Sequence, residues 1–303
     1  MGKAVAETMG FEVNPVSLSE QIEAFIRESA RSLGREGAVL GLSGGLDSAV
    51  TAVLTVRSLG PELVHLVYLP DRDSNPEHKA HARLLATQLG IPLQLLNISA
   101  TARAMKTYRI LPLNWIPGRN LRVFAVEKAR PSFLEHNDDR LFSDRLNPSG
   151  GSWLARGNAY GMAKSRIRMA TLYQYAEVRN LMVVGAANRT EWLTGTFAHW
   201  GIDHCADIMP VLHLYRTQIE QLAPFLGIPE EIRNKPADPD LFPARLDKSQ
   251  LLGGFEVTDQ ILNRLESGAD PAALAAVYDP VEVAHIADLY QASRYMRETP
   301  YHL

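Results

Sequence analysis

The chain has 303 residues, 46% of them apolar, and a formal net charge of −3, which provides material for a large core and argues against a nucleic-acid or membrane-surface partner. Cys205 is the only cysteine, so an intramolecular disulfide and an all-cysteine zinc site are excluded and a reducing compartment is expected. No run reaches the roughly 18 apolar residues of a membrane span, and Met1–Glu7 lacks the apolar core of a secretory signal, so the expected location is cytoplasmic.

Residues 1–17 read as a leader, 18–270 as one α/β domain, and 271–303 as a helical C-terminal extension of that domain. Leu18, Ile22, Phe25, Ile26, Ala30 and Leu33 recur at helical spacing, and Gly34 and Gly37 end that helix. A strand over 38–42 and a helix over 47–59 follow, then a strand over 63–69. Asp73–Glu77 caps a helix running to Leu89, and a third strand covers 93–98. Residues 100–160 break the pattern with Trp115, Pro117, Pro131 and a polar stretch at 136–140, and read as an irregular insertion of the lid or binding-loop kind. The alternation resumes with a helix over 163–179, a strand over 181–186, a helix over 212–226 and short helices from 255 to 296. Strands and helices alternating in this way predict a doubly wound, mostly parallel sheet with a helical tail. Ligands of such sheets bind at the carboxyl ends of the strands.

One such end carries Ser43-Gly44-Gly45-Leu46-Asp47-Ser48 between an apolar strand and an apolar helix. Free N–H groups at a helix N-terminus bind anions, and glycines let the backbone close around them. Ser43 and Ser48 add hydroxyl donors. Asp47 suits an anion site only if it holds a metal that bridges phosphate. The string lacks the Gly-Lys-Ser/Thr of a Walker loop and the third glycine of a dinucleotide fingerprint. A second carboxylate, Glu191, follows strand 181–186 on the same sheet edge, and Asp47 with Glu191 can hold Mg²⁺ against phosphates. Arg166 and Arg168, two apart on one helix, point to different faces, so at most one meets the site. His65, His78, His81, His136, His213, His285 and His302 show no metal-ligand spacing and receive no role.

The Ser43–Ser48 loop resembles the pyrophosphate loop of the N-type ATP pyrophosphatases, whose fold is of the adenine nucleotide alpha hydrolase kind. Over most of 18–98 and 163–300 the chain resembles the short, ammonia-dependent NAD synthetases. The resemblance is carried by Val39–Ser48, by Leu69–Glu77, by Ser165–Met169 and by Val184–Glu191. It continues through Gly195-Thr196-Phe197, Gly201, Asp207, Leu214–Gln218, Lys235-Pro236 and the basic tail at 293–297. It implies ATP-dependent amidation of deamido-NAD by ammonia through an acyl-adenylate, with release of AMP and pyrophosphate. Gly41, Ser43, Gly44, Gly45, Asp47, Ser48, Ala186, Arg216 and Asp238 would then bind ATP and pyrophosphate. Arg166, His199, Asp207 and Tyr295 would bind the dinucleotide. Asp47, Arg216 and Asp207 would be catalytic, with Mg²⁺ on Asp47 and Glu191. A homodimer is implied as well. The chain has no room before residue 18 for a glutaminase domain, so free ammonia or a separate glutaminase is expected to supply nitrogen.

The departures cluster at substrate contacts. His199 stands where the family has lysine, Ala186 replaces threonine, and His204 and Cys205 replace glycines. Tyr295 and Met296 replace a His-Lys pair, and Arg109, Arg119 or Arg122 of the insertion are candidate replacement contacts. A paralogue that amidates another carboxylate is the second reading. Sulfur transfer through Cys205 and nucleotide sensing are the others.

Overall fold

The structure, a computed structural model, describes residues 11–133, 146, 152–238, 240, 242–243 and 252–300. Most of the expected leader, much of 134–151 and the Asp247–Gln250 stretch lie outside these residues. Helix α1 (Pro15–Ser32) starts earlier than apolar spacing alone indicates. Asn14 caps it by accepting from the Val16 and Ser17 amides, and Pro15 fixes its first turn.

Strands β1 (Gly37–Gly41), β2 (Val64–Tyr68), β3 (Leu93–Leu95) and β4 (Leu181–Val184) form one parallel sheet in the order β3-β2-β1-β4. Helix α2 (Leu46–Leu59) joins β1 to β2, and α3 (Pro76–Gln88) joins β2 to β3. The order reverses at β1, between β2 and β4, which opens a crevice beyond the carboxyl ends of β1 and β4. Residues alternate across β1. Ala38 and Leu40 face a core shared with Ile22 and Ile26 of α1 and with Val50 and Leu54 of α2. Val39 faces the opposite core, built on Tyr160, Ile167 and Leu172 of α6 (Ser152–Glu177). Both faces are covered, as a parallel sheet requires.

Part of the expected insertion is helical. Helices α4 (Ser99–Ala104) and α5 (Arg119–Phe133) precede α6. Helix α6 begins well before 163, and Gly157 and Gly161 lie inside it. The reason is a buried charge network. Lys164 Nζ lies 2.8 Å from Asp71 Oδ2 and 3.4 Å from Asp73 Oδ2, and all three side chains have 0% exposure. Tyr160 donates to Asp73, and Arg122 Nε donates to it at 2.9 Å. Arg119 Nε reaches the Asp73 carbonyl at 3.1 Å. Arg168 Nε donates to the Leu69 carbonyl at 3.0 Å. Tyr160, Lys164 and Arg168, spaced one turn apart on α6, therefore all grip the 69–74 loop.

Burial opposes the Asp73 charge, but Lys164, Tyr160, Arg72 and Arg122 outweigh it and hold its pKa below the usual carboxylate range. Such a group stabilises the fold above its unfolded pKa and loses that contribution as pH falls through the folded value. Lys164→Met, which keeps the length and removes the cation, is expected to cost about 3 kcal/mol in urea unfolding at pH 7, because two buried carboxylates lose their shared partner.

Beyond β4, α7 (Arg189–Thr194) and α8 (Ile202–Cys205) lead to α9 (Arg216–Phe225) and α10 (Glu230–Arg233). Helix α9 starts at Arg216 rather than 212, because the Leu214 carbonyl accepts from the Arg189 amide at 2.7 Å instead of entering a helix. Among the described residues four C-terminal helices follow: α11 (Phe255–Glu266), α12 (Pro271–Leu274), α13 (Pro280–Ala292) and α14 (Arg294–Glu298). They share a core of Ile261, Leu262, Ile286, Leu289 and Met296 with Leu193 and Phe197. Among the described residues no helix is long and apolar enough to cross a membrane.

Candidate active site

The crevice at the sheet's reversal point is lined by Gly41, Ser43, Gly45, Asp47, Ser48, Ala186, Glu191, Arg216 and Asp238. Of the residues expected at the ATP site, only Gly44 is absent from this lining. Gly44 holds φ +78° with its back to the first turn of α3, and a Cβ there would sit 2.2 Å from the His78 carbonyl oxygen. The loop is folded by its own hydroxyls. Ser48 Oγ accepts from the Ser43 amide at 3.2 Å, donates to the Gly45 carbonyl at 3.0 Å, and shares a hydrogen bond with Ser43 Oγ at 2.9 Å. No side chain caps α2 at Gly45, so its first amides are available to an anion.

Asp47 stands in the first turn of α2 with both oxygens engaged. Oδ1 accepts from Asn188 Nδ2 at 3.0 Å, and Oδ2 pairs with Arg216 Nη1 at 2.9 Å. Asn188 also caps α7, its Oδ1 accepting from the Glu191 amide at 2.9 Å. One amide side chain thus sets the distance between the helix of Asp47 and the helix of Glu191. Arg216 is buried, and its Nε pairs with Glu220 at 2.9 Å. Burial opposes its charge, while Asp47, Glu220 and Glu191 outweigh that and raise its pKa. Its guanidinium carbon lies 5.2 Å from the centre of the Phe255 ring. Arg216 is therefore a fixed cation facing the carboxylates of the crevice.

The opposite wall comes from 235–238 and Asp240. Lys235 Nζ donates to the Gly44 carbonyl at 3.1 Å. Burial pulls its pKa down to about 8, against the attraction of Asp238 and Asp240. His78 is buried between those two acids, with Nε2 3.4 Å from Asp238 and Nδ1 3.5 Å from Asp240. Burial alone lowers an imidazole pKa. Here the two carboxylates outweigh it and raise the value. Arg168 Nη2 lies 3.5 Å from Asp240 and lines the crevice.

Sequence reasoning gave no site role to His78, Asn188 or Lys235, and of the pair Arg166 and Arg168 it gave the role to Arg166, whereas Arg168 lines the crevice. For Asn188 a signal existed: Asn-x-x-Glu just past a strand is a capping pattern. For His78 none did, since its partners lie far along the chain.

The residues expected to bind the dinucleotide divide into two groups, and none lines the crevice. Arg166, His199 and Tyr295 come together just behind its Phe197–Ala198 wall. Arg166 Nη2 donates to the His199 carbonyl at 3.3 Å, and the His199 and Tyr295 rings meet edge to face at 5.7 Å. His199 Nε2 also contacts Thr299 Oγ1 at 2.8 Å. His204 packs on His199 with ring centres 4.9 Å apart.

Asp207 stands apart, on the outer side of β4, where the 207–208 backbone pairs with the strand. Its Oδ2 accepts from the Val183 amide at 2.7 Å and its Oδ1 from Tyr173 at 3.0 Å. Arg119 and Arg122 hold the 72–73 backbone and Asp73, and Arg122 is buried. Burial pushes the Cys205 thiol pKa up, the reverse of what a reactive thiolate needs.

Several known proteins are similar to this chain over more than nine-tenths of its length. The NAD synthase family model matches residues 18–114 and 137–300. The NH(3)-dependent NAD(+) synthetase of Coprothermobacter proteolyticus is 34% identical over 287 residues, 94% of this chain and 97% of that protein. That of Thermotoga maritima is 35% identical over 288 residues, 93% of this chain and 98% of that protein. Among solved structures, NMN synthetase from Francisella tularensis superposes with a TM-score of 0.70 at 24% identity, covering 96% of this chain and 99% of that one. NH3-dependent NAD synthetase from Campylobacter jejuni, in complex with nitrate, superposes with a TM-score of 0.68 at 23% identity, covering 96% of this chain and 100% of that one. At such identities the two structures support the fold, and the sequence relatives and the family model support the lineage. The chain belongs to the NAD synthase family.

Proposed function

We propose that this chain makes NAD from deamido-NAD, ammonia and ATP through an acyl-adenylate. The nicotinic acid carboxylate oxygen attacks the α-phosphorus of ATP, and pyrophosphate leaves. Ammonia then attacks the acyl carbon, and AMP leaves with the electrons of the acyl C–O bond. Nucleotidyl transfer of this kind depends on positioning and charge neutralisation. The observation that carries the reading is the uncapped first turn of α2 beside the Asp47–Arg216 pair, inside a family whose sequence relatives bear this activity in their names.

In this reading the Ser43–Ser48 loop holds the pyrophosphate, and Arg216 and Lys235 offset its charge. Among the described residues no group of three or more His, Cys, Asp or Glu side chains is arranged to hold a metal. Mg²⁺ needs no such cage, since one or two carboxylates with phosphate oxygens and waters suffice. Each carboxylate oxygen accepts more than one bond, so Asp47 and Glu191, which line one crevice, fit that role. The ion would supply charge neutralisation on the phosphates. The Arg166, His199 and Tyr295 group, with Asp207, is assigned to the dinucleotide. A homodimer is part of the proposal, supported by the exposed apolar side chains of Trp115, Leu121 and Phe124. So is a supply of free ammonia, directly or from a separate glutaminase.

The deciding measurement is ammonium-dependent pyrophosphate release with deamido-NAD, compared with the mononucleotide half of that acid and with other carboxylates. Turnover on deamido-NAD in preference to the others supports the reading. Turnover confined to another carboxylate makes the chain an AMP-forming paralogue.

Its pH dependence is predicted as well. Lys235 carries its charge only below about pH 8, so kcat/KM for ATP is expected to fall as pH rises through that value. In Lys235→Met the plateau drops and that limb disappears. His78 adds a stability effect with the sign of a raised pKa. Its contribution is whole below the ordinary imidazole value near 6.5 and is lost as pH rises through the folded value.

A further inference from the structure

Helix α11 lies outside the sheet and supplies nothing to the crevice lining, yet it carries a fully buried carboxylate. Asp259 has 0% exposure. Its Oδ1 accepts from the Thr190 hydroxyl. Its Oδ2 accepts from the Thr217 amide at 2.9 Å and the Thr217 hydroxyl at 2.8 Å. Thr190 Oγ1 in turn accepts from the Arg216 amide at 2.9 Å. One carboxylate therefore ties the first turn of α7 to the first turn of α9. Those turns carry Glu191 and Arg216, which both line the crevice, and Arg216 pairs with Asp47.

Two further contacts place α11 in the same role. Glu266 lies two turns after Asp259, on the same helix face. It accepts from Arg189 Nε at 3.0 Å and from the Tyr215 hydroxyl at 2.5 Å, the residues flanking the first pair of ties. Phe255, at the start of α11, packs against the Arg216 guanidinium.

We propose that Asp259 is a positioning residue of the ATP site: through the Thr190 hydroxyl and the Thr217 amide it sets the first turns of α7 and α9 and so holds Arg216 against Asp47. The proposal rests on the reading of Arg216 as a phosphate-facing group. It assigns to the C-terminal helices a part in the chemistry that their distance from the sheet does not suggest. An isosteric asparagine keeps the volume of Asp259 but removes its charge and turns the Thr190 contact around: the amide Nδ2 donates to a Thr190 oxygen that already accepts from the Arg216 amide, and the Thr190 proton loses its carboxylate acceptor.

The test uses the full chain and three readouts: the steady-state rate of ammonium-dependent pyrophosphate release, KM for each substrate, and the melting temperature. Asp259→Asn is expected to lower kcat at least about 10-fold while KM for deamido-NAD stays within about twofold, because only the placement of the phosphate-facing group changes. Thr190→Val, an isostere without the hydroxyl, is expected to do the same, and Thr190→Ser to recover most of that loss. Because the effect acts through Arg216, adding Asp259→Asn to Arg216→Ala is expected to cost less than about twofold more.

A parental rate in Asp259→Asn overturns the inference. So does an equal loss in Thr190→Ser and Thr190→Val, or a loss that multiplies in full on the Arg216→Ala background. If Asp259→Asn fails to fold, the Thr190 pair decides. A parental rate in Arg216→Ala alone overturns the underlying reading of the site, which is a separate result.

Discussion

Asp47→Asn is expected to lower kcat for pyrophosphate release at least about 100-fold, the scale of losing one charge-stabilising group in a dry site. The substitution is close to isosteric, and Oδ1 can still accept from Asn188. What is lost is the negative charge opposite Arg216 and the anionic oxygen available to a divalent cation. Arg216 retains Glu220 at 2.9 Å, so the guanidinium is not left unpaired and the fold is expected to survive. A melting temperature close to the parent, with turnover collapsed and not restored by raised Mg²⁺, is the expected pattern. Near-parental turnover would remove Asp47 from the chemistry.

Gly44→Ala is expected to lower kcat/KM for ATP at least about 100-fold, the cost of a displacement of about 1 Å in a positioned site. Two effects combine. The φ of +78° is left-handed, which costs an alanine roughly 1–2 kcal/mol. The Cβ would also lie 2.2 Å from the His78 carbonyl oxygen, and neither backbone can yield without moving the loop or the first turn of α3. Gly60→Ala is the control. Gly60 has φ +87°, and nothing lies within 4 Å of the point its Cβ would occupy. It therefore bears the conformational cost alone, and its activity should stay at the parental level. If both variants lose stability equally and both keep full turnover, the close approach of α3 to the loop has no functional weight.

Much of the sheet was readable in the sequence because its strands are buried on both faces. β1 and β4 are unbroken apolar runs, β2 is interrupted only by His65, and the loop between β1 and α2 stands at the predicted strand end. Helix α6 was harder to read. Gly157 and Gly161 look like breaks, and the helix holds because Tyr160 and Lys164 find Asp71 and Asp73, which lie about ninety positions earlier and carry no local signal. The same holds for the crevice. The Ser43–Ser48 string and Glu191 announce themselves by their place at strand ends. His78 depends on Asp238 and Asp240, far along the chain, and spacing arguments cannot see that. Of the two α6 arginines, Arg168 reaches the crevice and Arg166 turns to the His199 carbonyl. Helical periodicity separates their faces but does not say which face meets the sheet edge.

The grip of α6 on the 69–74 loop limits how this molecule can move. Three side chains, each one turn from the next, meet three neighbouring points of one loop. A slide or a rotation of the helix by a single residue would break all three contacts together and strand buried charges. Shear of α6 across the sheet is thereby barred, and rearrangement around substrate must come from hinges at loop ends, with the helix and the 69–74 loop travelling as one body.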